Sequence, residues 1–565
     1  MVGLPLLFRF PPVMKNTGKK IYTSACCGLA LAIAVSTVPT AVSAQYPDTY
    51  MLGKGVLRMS FEPSYMNWGN RFDTSGVAVP LGTILSFDST STTIFPTMSR
   101  AEHLIWAVTG DTSLRVNVGS VQTTLDADVR RFPFNFRLGL HDRLTFTVSV
   151  PVVTTRMQVD FVHDTTGANA GWNLASPLSG EAAGAIGQIA EMLSQLEASA
   201  NALDAMVNSG GFDCPSGPQC DVARELVSRA RNLVTELTLM TGVYADGQLL
   251  DAMPPFAPLA SSDAALALAG VIQNISAELQ AMGAPGITGT LAFPTSIIDP
   301  DSTDIRSVLT EPGFGYDAQP LEFAKYRQKL GDIELGLRFG LIQRPALRAV
   351  LSTKVRLPTG TRDAPDHYVD IGTGDKQMDV EAGVDMAFEP GSVVGVAVSA
   401  RYNLQLSDQL VRRVTSPYEP LALASTEHLF ARNLGDVISV SAFPTLRLNE
   451  SFRAYGAIQY YRKGSDAYDW ADDSYHIESS ITTGNLETAT SMRSVSVGAG
   501  IHFRSHGREG LSLPAEAGVY YHAAYQGSGG FAPKTAGVTF YLRLFRRLFG
   551  GAPEPEEESE VSSEL

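Results

Sequence analysis

The chain has 565 residues, a mean hydropathy of +0.03 and a formal charge of −15. An acidic balance of this size excludes a nucleic-acid-binding surface. Beyond residue 44 no run of about 18 uncharged apolar residues occurs, which excludes a membrane-spanning helix.

The first 44 residues predict an export signal. Arg9, Lys15, Lys19 and Lys20 form a basic start, Ala25 to Val38 is apolar, and Ala41-Val-Ser-Ala44 offers small residues for cleavage. The mature chain then begins near Gln45, and removal of four basic residues takes the charge from −15 to −19. Cys26 and Cys27 open the apolar run, where a lipoprotein needs its cysteine at the end, and they leave with the signal. Cys214 and Cys220, in Cys-Pro-Ser-Gly-Pro-Gln-Cys, remain. In an oxidising compartment they are expected to form one disulfide. No further ligands flank them, so neither a metal nor any other cofactor is expected.

Alternating runs follow. Phe132, Phe134, Phe136, Leu138 and Leu140 alternate with polar or small residues, as do Leu144 to Val150 after a tight turn. Such alternation gives a strand one face for hydrocarbon and one for a polar interior. The pattern recurs as hairpins over 333–357, 380–406, around Asn449-Glu-Ser451, and around the Gly507-Arg-Glu-Gly510 turn. With an early strand from Val56 to Glu62 and a last one from Thr535 to Phe545, the count is 12. Gly76–Phe87 and Ser113–Asp126 alternate less well and would raise it to 14. The predicted fold is therefore all-β, a transmembrane antiparallel up-and-down barrel in the outer membrane of a Gram-negative cell, in contact with lipid bilayer and lipopolysaccharide. Residues 45–163 supply its N-terminal part and 322–549 its C-terminal part. Residues 550–565, rich in glutamate, read as a disordered acidic tail.

Short turns alternate with long connections at 359–377, 408–435, 464–491 and 525–535, an asymmetry that places the short turns and both termini on the periplasmic side. The longest connection, 164–321, carries apolar stripes at helical spacing: Ile186 to Val207, Val222 to Met240 and Leu268 to Met282. They predict a helical insertion, either a lid over the pore or a unit packed only on itself. Cys214 and Cys220 would fasten the turn between its first two helices.

Strand parity turns Arg131, Arg137, Asp332, Glu334, Arg338, Arg348, Lys354, Arg356, Asp379, Glu381 and Asp385 inward. Mixed charge on a lumen wall either sets up a cross-pore field or forms a salt-bridge network that fills a narrow barrel. An enzyme is not expected: none of the nine histidines has a serine two residues later, the offset at which a barrel hydrolase would bring both to one strand face. Gly372-Thr-Gly374 is followed by neither a helix start nor Gly-Lys-Ser/Thr, so it is not a phosphate loop. Tyr455, Tyr460, Tyr461, Tyr468 and Trp470 suggest an interfacial aromatic girdle. In the last strand Thr535, Gly537, Phe540 and Leu542 resemble the C-terminal signal read by the barrel-assembly machinery.

Several segments together resemble the outer-membrane family known for the MetA pathway of phenol degradation, related to fatty-acid-transporter-like barrels. They are Leu138-Gly-Leu-His-Asp-Arg-Leu144 with Val148-Ser-Val-Pro151, Leu330-Gly-Asp-Ile-Glu-Leu-Gly336, Val355-Arg-Leu-Pro-Thr-Gly360, and Ile371-Gly-Thr-Gly-Asp375 with Asp379. The likeness spans roughly 130–160 and 320–545 and leaves out the helical insertion. It implies an outer-membrane channel or transporter-like barrel for small hydrophobic or aromatic compounds. A non-transporting structural or surface-interaction barrel is the other reading.

Overall fold

A computed structural model describes residues 47–87, 95–180, 182–299, 305–311, 313–321, 324–391, 393–414, 421–471, 482–505 and 515–549. The export signal, the Gly507–Gly510 turn and the acidic tail lie outside the described residues.

Twelve antiparallel strands close into a barrel. They are β1 (Val56–Phe61, continued after a break as Ser64–Trp68), β2 (Ser120–His141), β3 (Leu144–Asp164), β4 (Ala324–Leu330, continued as Glu334–Gln343), β5 (Leu347–Arg356) and β6 (Asp379–Phe388). β7 (Val394–Gln405), β8 (Val437–Arg447), β9 (Phe452–Lys463), β10 (Met492–Arg504), β11 (Ala515–Ser528) and β12 (Ala536–Arg547) complete it. Each pairs with its sequence neighbour, and β1 pairs with both β2 and β12 to close the ring. Gly76–Phe87 holds only a three-residue strand and a 3-10 turn, and Ser120–Asp126 is the start of β2. The 12-strand count stands over 14.

Alternation puts Leu337, Phe339, Leu341, Leu351, Met386, Ile458, Val497 and Phe540 outward, each 41–56% exposed. A continuous belt of this kind is stable only against hydrocarbon. Among the described residues no helix is long and apolar enough to cross a membrane.

On the loop side sits a helical domain whose core is continuous with apolar residues of the neighbouring strands, Met66, Leu125, Val153 and Met157 among them. Helices α1 (Pro96–Thr109), α2 (Ala182–Asn208), α3 (Pro218–Thr241) and α4 (Asp263–Ala281) bury most of the predicted stripes, with Leu193, Leu196, Leu203, Leu237, Leu268 and Leu279 fully enclosed and Val222 left exposed. Proline at the first turn of α1 and α3, the Ser262 cap of α4, and Gly110 and Gly242 at left-handed C-terminal positions set the helix ends. The Cys214–Cys220 bond ties the turn after α2 to the first turn of α3. Unforeseen in the sequence, α1 joins the bundle from outside the 164–321 connection. A second unforeseen element is a sheet of Asp408–Arg413, Glu427–Asn433 and Ala467–Trp470 beyond the barrel rim.

Two strands are broken. β1 is interrupted at Glu62-Pro63, where proline has no N–H for the ladder. β4 is interrupted at Gly331-Asp332-Ile333. Its first half pairs with β3 on one side, and among the described residues no strand pairs with its other edge, because β5 ends at Arg356. The chain from Leu357 to Met378 turns inward there.

Candidate functional site

The lumen holds a cavity of about 380 Å³. Arg131, Arg137, Asp332, Glu334, Arg338, Lys354, Arg356, Asp379 and Glu381 line it. Asp385 faces inward beneath them, bonded to Arg338 and Arg401, and Arg348 lies at the turn-side mouth with Glu389. All eleven residues chosen by parity thus point into the barrel.

Most are tied across neighbouring strands. Lys354 on β5 meets Glu334 on β4 at 3.3 Å and Glu381 on β6 at 3.2 Å. Arg356 meets Glu334 at 3.4 Å and Asp379 at 2.7 Å. Arg401 on β7 meets Asp385 at 2.5 Å. Directly opposed antiparallel partners carry these charges, Arg356 opposite Asp379 and Lys354 opposite Glu381, so register alone brings them together.

The turn-side end is closed by the segment before β1. The Asp48 carboxylate accepts from Arg58 and, at 2.9 Å, from Arg137, while its carbonyl accepts from Arg338. Thr49 Oγ1 accepts from Arg348 Nε at 3.1 Å. The Tyr50 ring lies 4.2 Å from the Arg348 guanidinium and 5.0 Å from that of Arg504. The segment leaves the lumen over Gly139, where a Cβ would stand 2.2 Å from the Gly53 carbonyl oxygen, so only glycine admits it. Gly55 N–H then donates to Gly139 O at 2.8 Å. Nothing periodic marks residues 47–52, so strand patterning could not reveal this closure.

The loop-side end is closed by the inward run between β5 and β6. Asp332, at the break in β4, accepts from Gly360 N–H at 2.7 Å. A Cβ on Gly374 would fall 2.2 Å from Asp332 Oδ2. Thr373 N–H donates to Thr361 O, and Thr155 Oγ1 donates to Ile371 O at 2.9 Å. Asp332, expected only as lumen lining, is therefore also the latch of this closure. Three of the motif segments quoted for the family resemblance converge on it. Farther out, Arg362 binds Asp408, and the Tyr368 hydroxyl donates to Ala422 O at 2.5 Å. Burial pushes the Tyr368 phenol above its ordinary value, which keeps it a neutral donor. Tyr368, Val369 and Ile371 belong to the same apolar core as the helical domain.

The aromatic girdle is corrected. Only Tyr460 of that set stands in the exposed outer belt, 41% exposed. Tyr455 and Tyr461 share the inward parity of β9, Tyr455 stacks on Tyr520 at 5.8 Å, and Tyr468 is buried in the sheet beyond the rim with Trp470 packed partly against its core.

No family model matches the chain, and no curated protein matches it. Among solved structures, an outer membrane channel from Pseudomonas putida F1 aligns with 89% of this chain and 98% of its own at 8% identity and a TM-score of 0.37. The Ralstonia pickettii toluene transporter TbuX aligns with 88% of this chain and 90% of its own at 7% identity and 0.27. A Pseudomonas aeruginosa FadL homologue gives 87% and 90%, 6% and 0.27.

Proposed function

We propose that the chain is a gated transport barrel of the outer membrane for small apolar or aromatic compounds. The observation that carries this reading is that the cavity is closed at each end by a segment separate from the strands, Pro47–Leu52 and Leu357–Met378, held by hydrogen bonds and ion pairs. A scaffold fills its interior with wall side chains, whereas polar-tethered segments can be displaced without unfolding the wall. The charged lumen is a poor axial path for an apolar solute. The unpaired edge of β4 beside the inward run offers a lateral one, and Val129, Val153, Ile371, Leu434 and Phe443 give the cavity apolar wall.

The test is influx of the apolar probe N-phenylnaphthylamine into cells whose lipopolysaccharide leaflet is intact, with and without the protein, and with residues 180–285 deleted. Faster influx with the protein supports transport, and a further rise on deletion makes the helical domain a lid. No influx above background from either form, with the barrel shown to be folded, removes the transport reading and leaves a structural or surface-interaction barrel.

A further inference from the structure

Among the described residues seven cationic side chains line the cavity: Arg131, Arg137, Arg338, Lys354, Arg356, Arg401 and Lys463. Six of them have a carboxylate within ion-pair distance, respectively Asp48, Asp385, Glu334, Asp379, Asp385 and Asp466 for the six after Arg131. Arg131 has none among the described residues. Of the carboxylates that act on it through space, Glu334 is engaged by Lys354 and Arg356, and Asp332 accepts from Gly360 N–H through Oδ1; neither lies within ion-pair distance of Arg131. A guanidinium presents five donors in a planar fork matched to a carboxylate.

The surroundings of Arg131 are two-sided. On β2, Val129 shares its face, and the cross-strand partner of Arg131 is Val153 on β3. Ile371 of the inward run is held two residues farther along that face through Thr155. Val129, Val153 and Ile371 are all buried, at 5%, 4% and 2% exposure. One charged fork thus adjoins an apolar patch inside the lumen.

We propose that Arg131 is the anchor for the carboxylate of an amphiphilic solute whose apolar or aromatic body rests on Val129, Val153 and Ile371. This rests on the transport reading for its physiological meaning, but the binding site stands or falls separately. A carboxylate completes the one cavity-lining cation that has no ion-pair partner among the described residues, and its charge-assisted hydrogen bonds are the strong kind. A neutral analogue lacks that gain, and an ammonium analogue meets repulsion from Arg131.

The probe is benzoate at pH 7, with benzyl alcohol as its neutral counterpart, titrated calorimetrically against the full barrel in nanodiscs. The expected preference for benzoate is at least about tenfold, the lower end of what a charge-assisted hydrogen bond contributes. Arg131→Gln should abolish the preference while leaving benzyl alcohol binding unchanged, and Arg131→Lys should retain part of it. No preference in the wild-type protein overturns the proposal, as does a preference that survives in R131Q. Should R131Q lose its heat-modifiable gel shift, the wild-type comparison and R131K decide. Benzoate binding without apolar-probe influx leaves this site standing and removes the transport reading; influx without benzoate preference does the reverse.

Discussion

Asparagine at position 48 should open the turn-side closure. The Asp48 carboxylate is 9% exposed and receives two guanidiniums, Arg58 at 2% and Arg137 at 20% side-chain exposure. Asp48→Asn keeps the shape but turns two ion-pair hydrogen bonds into bonds from a charged donor to a neutral acceptor, a loss of about 1.5 kcal/mol each. It also leaves Arg58, Arg137 and Arg338 sharing a site with less counter-charge. A total of about 3 kcal/mol corresponds to a rise of about 100-fold in the fraction of molecules with the segment displaced. Pro47 is buried, so a thiol placed there reports that fraction. The two native cysteines among the described residues are bonded to each other and do not compete. Labelling of Pro47→Cys by a water-soluble maleimide should proceed about 100-fold faster in the Asp48→Asn background. Equal rates in the two backgrounds would refute the view that Asp48 holds this segment in place.

Other perturbations separate the remaining parts. Arginine at outward Leu337 or Leu351 should lower unfolding free energy in bilayers by about 2–4 kcal/mol. Glutamate at inward Ser352, whose cross-strand partner is Arg338, should cost far less in the same urea titration. Gly374→Ala forces the Asp332 carboxylate aside and should expose the 357–378 run to limited proteolysis, with the barrel's gel shift intact. Serine at both Cys214 and Cys220 removes a bridge over a short loop and should destabilise the helical domain by about 2 kcal/mol. Faster cleavage between α2 and α3 with an unchanged barrel is the signature to look for.

The wall was legible in the sequence because each hairpin meets two solvents, and a period of two records that contrast directly. Leu337 against Arg338, or Leu351 against Ser352, needs no tertiary knowledge to orient. The helical stripes were legible for the same reason at a period of 3.6. What fills the lumen was not. Asp48, Thr49 and Tyr50 belong to an irregular segment whose meaning comes entirely from guanidiniums far away in the chain, at Arg137, Arg338 and Arg348. Tyr455 and Tyr461 were misread because an aromatic side chain serves a membrane interface and a barrel interior equally well. Parity within β9 decides between them. The Gly360 and Gly374 corners stood out as motifs, yet it takes the close approach of Asp332 to both, and of the Gly374 backbone to Gly360, to explain why a side chain is not accommodated there.

The turn-side segment is a ligand on a leash. Gly55, bonded to Gly139, fixes one end, and the seven residues back to Asp48 reach at most about 25 Å when fully extended. A displaced Asp48 therefore stays at the mouth of its own barrel, at an effective concentration in the millimolar range for so short a flexible connection. A dissolved carboxylate at micromolar concentration cannot compete with it for Arg58 and Arg137. Such a solute finds its counter-charge only where the leash brings none, at Arg131.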